Sequence, residues 1–371
     1  KQATDYFLLI GPPGTGKTSM ALQYLVREHE GKNILLLSYT NRAVDEICGM
    51  LADNDIPFLR LSKEYSCDPR FTDNLLTNTV KTNPTLEHIR QTIDSSRIIV
   101  SLATHTAIFS IKHFELAIID EASQILEPNI VGLLAAHNGG EQVIDKFILI
   151  GDHKQLPAVV QQDNNESAAD SPLLEEIHLP NCANSLFERL ILTERAAGRT
   201  DFVGTLRKQG RMHPDIAAFP NTYFYEREQL ECVPLAHQTE PNLPYNEPSE
   251  DKTDDFLKAH RMVFIPSKSC RKPYISEKVN TEEARIVADL VRRLYRQMGK
   301  TFDAQKSIGI IVPYRNQIAM IRKELEQLRL PAIEKISIDT VERYQGSQRD
   351  VIIYSFTIQN RFQLEFLTAN T

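Results

Sequence analysis

The sequence has no tryptophan, few cysteines and no long apolar run. No run approaches the roughly 18 residues of a membrane span, and no signal-peptide core follows Lys1. We therefore expect no membrane partner. The five cysteines are scattered and never spaced as C-x-x-C, which argues against a zinc site or a disulfide framework. This usage is typical of a reducing, cytoplasmic compartment.

An excess of positive charge is also missing. The 42 basic and 49 acidic residues give a formal net charge of −7, so any nucleic-acid track must be a local patch. The composition is 42% hydrophobic and 25% charged, as in globular proteins. A chain of 371 residues is too long for one ordinary core, so we expect two domains.

Residues 11–18, GPPGTGKT, fit the phosphate-loop pattern G-x-x-x-x-G-K-[ST]. The glycines let successive backbone N–H groups point at phosphate oxygens, Lys17 reaches the β- and γ-phosphates, and Thr18 ligates Mg²⁺. A strand pattern precedes the loop and a helix pattern follows it, which disfavours a glycine turn that binds nothing. The predicted nucleotide-binding residues here are Gly11, Pro12, Pro13, Gly14, Thr15, Gly16, Lys17 and Thr18.

Short apolar runs alternate with helical patterns along the whole chain, which predicts α/β architecture with parallel sheets. The runs are residues 7–10, 34–37, 98–100, 116–119 and 147–150, then 262–265, 308–312, 336–338 and 351–356. Two such series predict two lobes, residues 1–200 and 201–371, with the boundary near Thr200. A polar stretch at residues 51–96 is predicted to be an insertion in the first lobe.

Two of these strands end in polar residues that can carry chemistry. Asp120 and Glu121 follow the run 116–119, and downstream of a phosphate loop this position predicts a magnesium ligand and a general base, respectively. Gln155 follows the run 147–150 and could contact the γ-phosphate. By position alone, however, an ordinary turn is favoured for Gln155.

Several motifs in order resemble those of superfamily 1 helicases, in the branch with the nonsense-mediated-decay RNA helicase and the Okazaki-fragment nuclease–helicase. In chain order they are SYTNRAVDEI (38–47), SLATH (101–105), DEAS (120–123), GDHKQLP (151–157), SLFERL (185–190), RMHP (211–214), VPYRNQ (312–317) and TVERYQGSQRDVII (340–353). The resemblance covers about residues 6–356.

The resemblance implies two RecA-like P-loop NTPase lobes with ATP and Mg²⁺ in the cleft between them. It implies a catalytic set of Lys17, Glu121, Gln155 and Arg211, with Arg211 reaching the γ-phosphate from the second lobe. Thr18 and Asp120 would hold the metal. Gln345 and Gly346 of the 340–353 motif would also contact the nucleotide.

The resemblance also implies a single-stranded nucleic acid that runs across both lobes. Its expected contacts are Ser38, Thr40, Asn41, Thr104, His105, Pro313, Tyr314 and Thr340. Short polar side chains grip a backbone without reading bases, and Tyr314 could instead stack on a base. The implied function is an ATP-dependent helicase or translocase with 5′→3′ polarity. Single-stranded DNA is taken as the expected partner ahead of RNA, although no residue of the sequence distinguishes the two.

Alternatives remain open at this point. A nucleotide-dependent clamp on a nucleic acid or a protein, which does not unwind, is one, because no strand-separating element is recognisable and the chain is acidic. RNA is the alternative substrate. A small-molecule kinase is disfavoured by the length of the chain and by the second α/β lobe.

The chain departs from the helicase pattern in four places. Gln209-Gly210 stands where relatives have Gln-Tyr, which puts adenine packing in doubt, and Gln348 replaces an acidic residue. The adenine-reading Q motif is expected upstream of Lys1 and motif VI, with its second arginine, downstream of Thr371. We therefore expect this chain to bind nucleotide and hydrolyse it poorly.

Overall fold

The structure, a computed structural model, describes residues 5–105, 112–158, 160–163, 165–240, 244–268, 276–344 and 347–368. Its contacts divide the chain into two units, Lys1–Val233 and Pro234–Thr371. The division lies beyond the predicted boundary near Thr200. The reason is that Val203–Thr205 pairs with Tyr6–Ile10 and thereby adds a strand to the sheet of the first unit.

The first unit is built on a seven-stranded sheet whose pairings are all parallel. In chain order the strands are β1 (Tyr6–Ile10), β2 (Ile34–Ser38), β3 (Leu59–Leu61), β4 (Ile98–Leu102), β5 (Leu116–Ile119), β6 (Phe147–Gly151) and β7 (Val203–Thr205). Their order across the sheet is β3-β4-β2-β5-β6-β1-β7. The central strands β2, β5 and β6 are entirely buried, as continuous apolar runs in parallel sheets are. The α/β class predicted from those runs is confirmed.

Helices pack on both faces of this sheet, and each face has its own apolar core. The longer helices are α1 (Gln23–Glu28, preceded by a π-helical stretch Lys17–Leu22), α2 (Asn41–Ala52), α3 (Leu86–Ser95), α4 (Glu127–Leu134), α5 (Leu186–Ala196) and α6 (Pro214–Tyr223). The helix starts follow local capping chemistry: the hydroxyls of Thr40 and Ser185 accept hydrogen bonds from the first turns of α2 and α5. Short helical turns lie at Glu64–Ser66, Pro69–Asn74, Leu76–Thr79, Ala122–Gln124 and Pro172–Glu176. Two pairs of short strands also form: His137–Asn138 pairs with Glu141–Gln142, and Lys208–Gln209 pairs with Glu231–Cys232.

The second unit has a smaller parallel sheet of three strands. They are β8 (Ile308–Val312), β9 (Ser337–Thr340) and β10 (Val351–Tyr354), in the order β9-β8-β10. Its longer helices are α7 (Lys252–Ala259), α8 (Thr281–Met298), α9 (Arg315–Glu326) and α10 (Arg361–Thr368). Short helical turns lie at Ala236–Thr239, Gly299–Thr301, Ile333–Lys335 and Val341–Tyr344. An apolar core fills the space between α8, α9 and the sheet.

One predicted strand does not form. Residues 262–265 have no strand pairing in the structure, and Met262 and Phe264 are 57% and 76% exposed. An apolar run becomes a strand only when another strand lies beside it, and none of the described strands does so here. Across the described part of the chain, no helix has the length and apolar character needed to cross a membrane.

Candidate nucleotide site

The phosphate loop, residues 11–16, connects β1 to the first helical turn. Gly14 and Gly16 have φ angles of 77° and 73°, in the left-handed region where a side chain is strained. The Gly11 N–H donates to the carbonyl of Gly151 over 2.9 Å, so the loop begins beside the carboxyl end of β6. The loop therefore lies at the sheet edge where parallel α/β proteins bind ligands.

Four predicted residues converge at this edge. The Thr18 hydroxyl donates to Oδ2 of Asp120 over 2.6 Å, although 102 residues separate them. Lys17 Nζ lies 3.7 Å from Oε1 of Glu121. The backbone N–H of Glu121 donates to Oδ1 of Asp120 over 2.9 Å, which orients the Asp120 carboxylate.

Burial dominates the electrostatics of this pair of carboxylates. It raises the pKa of Asp120, against the hydrogen bond from Thr18 and the charge of Lys17, which lower it. Burial also raises the pKa of Glu121, against the charge of Lys17. Glu121 has a φ of 52°, an uncommon conformation for a residue with a side chain and one that clusters at functional sites.

The donor set fits a magnesium ion. Thr18 and Asp120 offer a hydroxyl and a carboxylate oxygen, the hard ligands that Mg²⁺ prefers. Mg²⁺ in nucleotide sites takes one or two protein oxygens and completes its shell with phosphates and water. Within the described ranges no group of three or more His, Cys, Asp or Glu residues could hold a metal ion by itself.

Gln155 is hydrogen-bonded to a carboxylate, Asp152, to which the sequence analysis gives no role. Its Nε2 donates to Oδ2 of Asp152 over 2.9 Å, and Asp152 is fully buried. The Asp152 N–H in turn donates to the hydroxyl of Ser123, in the segment after β5. In the sequence, the position of Asp152 directly after a buried strand could have indicated a functional role. No comparable position in the sequence indicates a role for Ser123.

The structure places Arg211 in the first unit, whereas the sequence predicted it in the second lobe. The Gly210 N–H donates to the carbonyl of Gly14 over 2.9 Å. A Cβ atom added to Gly14 would lie 2.5 Å from the Cβ of Arg211, so this arginine packs on the phosphate loop. Burial lowers the pKa of Arg211, and the charges of Glu46 and Glu121 act in the opposite direction. The predicted boundary was placed too early for this residue.

The predicted nucleic-acid contacts of the first unit lie after two neighbouring strands. Thr40 and Asn41 follow β2, and Thr104 and His105 follow β4, which pairs with β2. Thr40 and Thr104 are exposed, and Asn41 and His105 are half-buried. Ser38 differs: it is completely buried, and its hydroxyl donates to the carbonyl of Asp120 over 3.1 Å. In this structure Ser38 supports the carboxylate strand and is not open to a nucleic acid.

The second unit repeats this arrangement. Pro313 and Tyr314 directly follow β8, and Thr340 ends β9, with Val312 and Thr340 in register. Lys278 Nζ lies 5.6 Å from the centre of the Tyr314 ring. Gln345 and Gly346, the predicted nucleotide contacts of this unit, lie outside the described residues.

Comparisons with known proteins place the chain in a family. One AAA-domain model matches residues 182–370, and a second AAA-domain model matches residues 1–85 and 73–163. The chain is 32% identical over 380 residues to the DNA replication ATP-dependent helicase/nuclease DNA2 of Bos taurus, covering 96% of the chain and 32% of the relative. It is 31% identical over 379 residues to the protein of the same name from Xenopus laevis, covering 96% and 33%.

Similar solved structures are more distant. The structure of PRRSV helicase has 12% identity and a TM-score of 0.41, covering 97% of this chain and 48% of that one. Such a likeness carries no argument about function. The chain spans about a third of the length of the curated relatives named above. The motifs and the matched AAA domains show that the chain belongs to the superfamily 1 helicase family.

Proposed function

We propose that this chain is the ATP-driven motor of a DNA helicase or translocase. The observation that carries the proposal is the 2.6 Å hydrogen bond between Thr18 and Asp120, which joins the phosphate loop to the carboxylate strand. With Lys17 and Glu121 beside them, a phosphate-binding lysine, a metal-binding pair and a general base meet at one sheet edge.

Each residue has a distinct role in this proposal. Lys17 and the loop N–H groups bind the phosphates, and Glu121 orients and deprotonates the attacking water. Gln155 contacts the γ-phosphate, and Arg211 stabilises the charge that develops on the transferred phosphoryl group. Thr18 and Asp120 would hold Mg²⁺, which neutralises phosphate charge when it is bound.

Single-stranded DNA is the proposed track, with movement in the 5′→3′ direction. The relatives are named as DNA replication helicase/nucleases, which favours DNA over RNA. In each unit, polar residues follow neighbouring parallel strands, and such residues can grip a phosphate backbone without reading bases. The polarity rests on the resemblance of the motifs alone.

A nucleotide-dependent clamp on a nucleic acid or a protein, which does not unwind, is the second candidate. The net charge of −7 favours a clamp on a protein partner, because an acidic chain repels a polyanionic track. The motor and the clamp are distinguished by measuring ATP turnover with single-stranded DNA, with single-stranded RNA and without nucleic acid. Stimulation by DNA supports the motor on DNA, stimulation by RNA alone changes the substrate, and unstimulated turnover favours the clamp.

The first prediction tests the nucleotide site itself. Lys17→Ala should lower the affinity for a fluorescent ATP analogue at least about tenfold, because the phosphates lose their main cation. Glu121→Gln should keep that affinity and lower turnover by about 10²-fold or more, since the general base is lost. Binding is measured by titration and turnover by phosphate release.

The control for these variants is Lys32→Ala, which removes an exposed lysine outside the site. It should match the unmodified chain in both measurements. Normal ATP turnover by both Lys17→Ala and Glu121→Gln would show that the site is assigned to the wrong residues.

A further inference from the structure

Asp152 connects the predicted γ-phosphate contact to a distant tyrosine. Its Oδ2 accepts one hydrogen bond from Gln155 Nε2 over 2.9 Å and another from the Tyr225 hydroxyl over 2.6 Å. Its Oδ1 accepts the N–H of Lys154 over 3.1 Å. Asp152 is 0% exposed, so these donors compensate a carboxylate that has no contact with water.

The Tyr225 hydroxyl is a dependable donor in this network. The side chain is 3% exposed. Burial raises the pKa of Tyr225, and the neighbouring Asp152 raises it further. The hydroxyl therefore keeps its proton at physiological pH, and a hydrogen bond from it to a buried carboxylate is of the stronger, charge-assisted kind.

A second contact joins the same two segments. Lys154 Nζ donates to the carbonyl of Phe224 and to Oε2 of Glu228, each over 2.6 Å. Glu228 is 2% exposed and also lies 3.5 Å from Arg195. The turn after β6 is therefore attached to residues 224–228 at two points, which limits the positions that Gln155 can take.

Residues 224–228 directly follow α6, and Arg211 lies shortly before the start of that helix. Gly210 is hydrogen-bonded to the phosphate loop at the other end of this stretch. One continuous segment of the first unit thus contacts both the phosphate loop and the turn that carries Gln155.

We propose that Tyr225 is a positioning residue for nucleotide recognition: through Asp152 it holds the Gln155 amide where it meets the γ-phosphate and so favours ATP over ADP. This inference rests on the proposed function, in which Gln155 contacts that phosphate. Without the hydroxyl, the Asp152 carboxylate keeps, among the described residues, the hydrogen bonds from Gln155 Nε2 and the Lys154 N–H, and the turn has more freedom.

The test compares the ratio of ADP to ATP-analogue dissociation constants between variants, because a general loss of stability does not alter this ratio. The dissociation constants of ADP and of a non-hydrolysable ATP analogue are measured with Mg²⁺ for the unmodified chain, Tyr225→Phe, Gln155→Ala and the double variant. Tyr225→Phe should lower the preference for the ATP analogue about tenfold and leave ADP affinity almost unchanged. The double variant should be no worse than Gln155→Ala, because both changes remove the same contact.

Tyr223→Phe is the matched control, since it removes the hydroxyl of a tyrosine that is 70% exposed at the end of α6. It should leave the preference unchanged. Asp152→Asn, which replaces the shared acceptor, is a second variant and should show the same selective loss as Tyr225→Phe.

Two results would overturn the inference in different ways. In the first, Gln155→Ala lowers the preference for the ATP analogue, but Tyr225→Phe and Asp152→Asn either weaken both nucleotides equally or have no effect. Tyr225 then has no positioning role. If Gln155→Ala itself leaves the preference unchanged, Gln155 does not contact the γ-phosphate, and that part of the proposed function fails together with the inference.

Discussion

At the scale of single residues, the phosphate loop depends on the absence of a side chain at Gly14. Its φ of 77° is strained for any residue with a Cβ. The Cβ and backbone N of Arg211 would lie 2.5 Å and 3.2 Å from an added Cβ, and a backbone atom cannot move aside as a flexible side chain can. The glycine therefore meets both a conformational and a spatial requirement.

Gly14→Ala should lower the affinity for an ATP analogue at least about tenfold, because Arg211 and the loop must move apart. Gly31→Ala is the matched control: Gly31 has a φ of 85°, but no atom lies within 4 Å of an added Cβ. Gly31→Ala should lose about 1 kcal/mol of unfolding free energy from backbone strain, and Gly14→Ala should lose more, because it adds the clash with Arg211. Titration calorimetry and denaturant unfolding measure the two effects, and unchanged nucleotide affinity in Gly14→Ala would contradict the packing of Arg211 on the loop.

At the scale of secondary-structure elements, the buried carboxylate of Glu194 joins helix α5 to strand β1 and pairs with the half-exposed Arg199. Glu194 is 0% exposed and accepts two hydrogen bonds from Arg199, of 2.7 and 2.6 Å, and one from the hydroxyl of Tyr6. The Arg199 hydrogen bonds lower the pKa of Glu194 below its ordinary 4.5, although burial raises it. The phosphate loop begins at the end of the same strand, so this contact supports the site from a distance.

Glu194→Gln should lower the melting temperature at pH 7 by about 2 °C, because the buried carboxylate loses its charged pairing with the half-exposed Arg199. The native carboxylate takes up its proton at a lower pH than the unfolded one. Its contribution is therefore complete above pH 4.5 and is lost as the pH falls through the native pKa.

Melting curves from pH 7 to pH 3 test this expectation. The difference between the unmodified chain and Glu194→Gln should shrink below pH 4.5, whereas Glu30→Gln, at an exposed position, should show no difference at any pH. A gap that stays constant down to pH 3 would mean that the charge of Glu194 does not stabilise the fold.

At the scale of the whole molecule, the chain is acidic but is proposed to bind a polyanion. The proposed contacts in both units are uncharged side chains that follow parallel strands, such as Thr40, Thr104 and Tyr314. Contacts of this kind bind phosphates and bases through hydrogen bonds and stacking, and a basic track beside them can be a local patch on an acidic chain. The net charge of −7 is therefore compatible with the proposed track.

Tyr314→Ala should weaken binding of a single-stranded oligonucleotide by about 1–3 kcal/mol, the usual value of one base stacked on an aromatic ring. Tyr65→Ala is the control, because Tyr65 is also an accessible tyrosine with a lysine near its ring, Lys63 Nζ at 5.8 Å. Fluorescence anisotropy measures both affinities. Equal losses in the two variants would show that the second unit does not use Tyr314 for binding.

The sequence by itself determined the local features of this protein. The phosphate loop, the strand before it and the carboxylates Asp120 and Glu121 are encoded within short stretches, because apolar periodicity and glycine content act locally. The parallel α/β class follows from the same periodicity and is confirmed. The residues 262–265 show the limit, since an apolar run does not specify whether a partner strand lies beside it.

Only the tertiary structure decided which distant residues meet. The pairing of Val203–Thr205 with β1 brings Arg211 into the first unit, and Ser38, a predicted nucleic-acid contact, is buried with its hydroxyl on the carbonyl of Asp120. The hydrogen bond from Tyr225 to Asp152 spans 73 residues. Such contacts depend on the order of strands across the sheet, and that order is set by the packing of the whole unit, which no local pattern encodes.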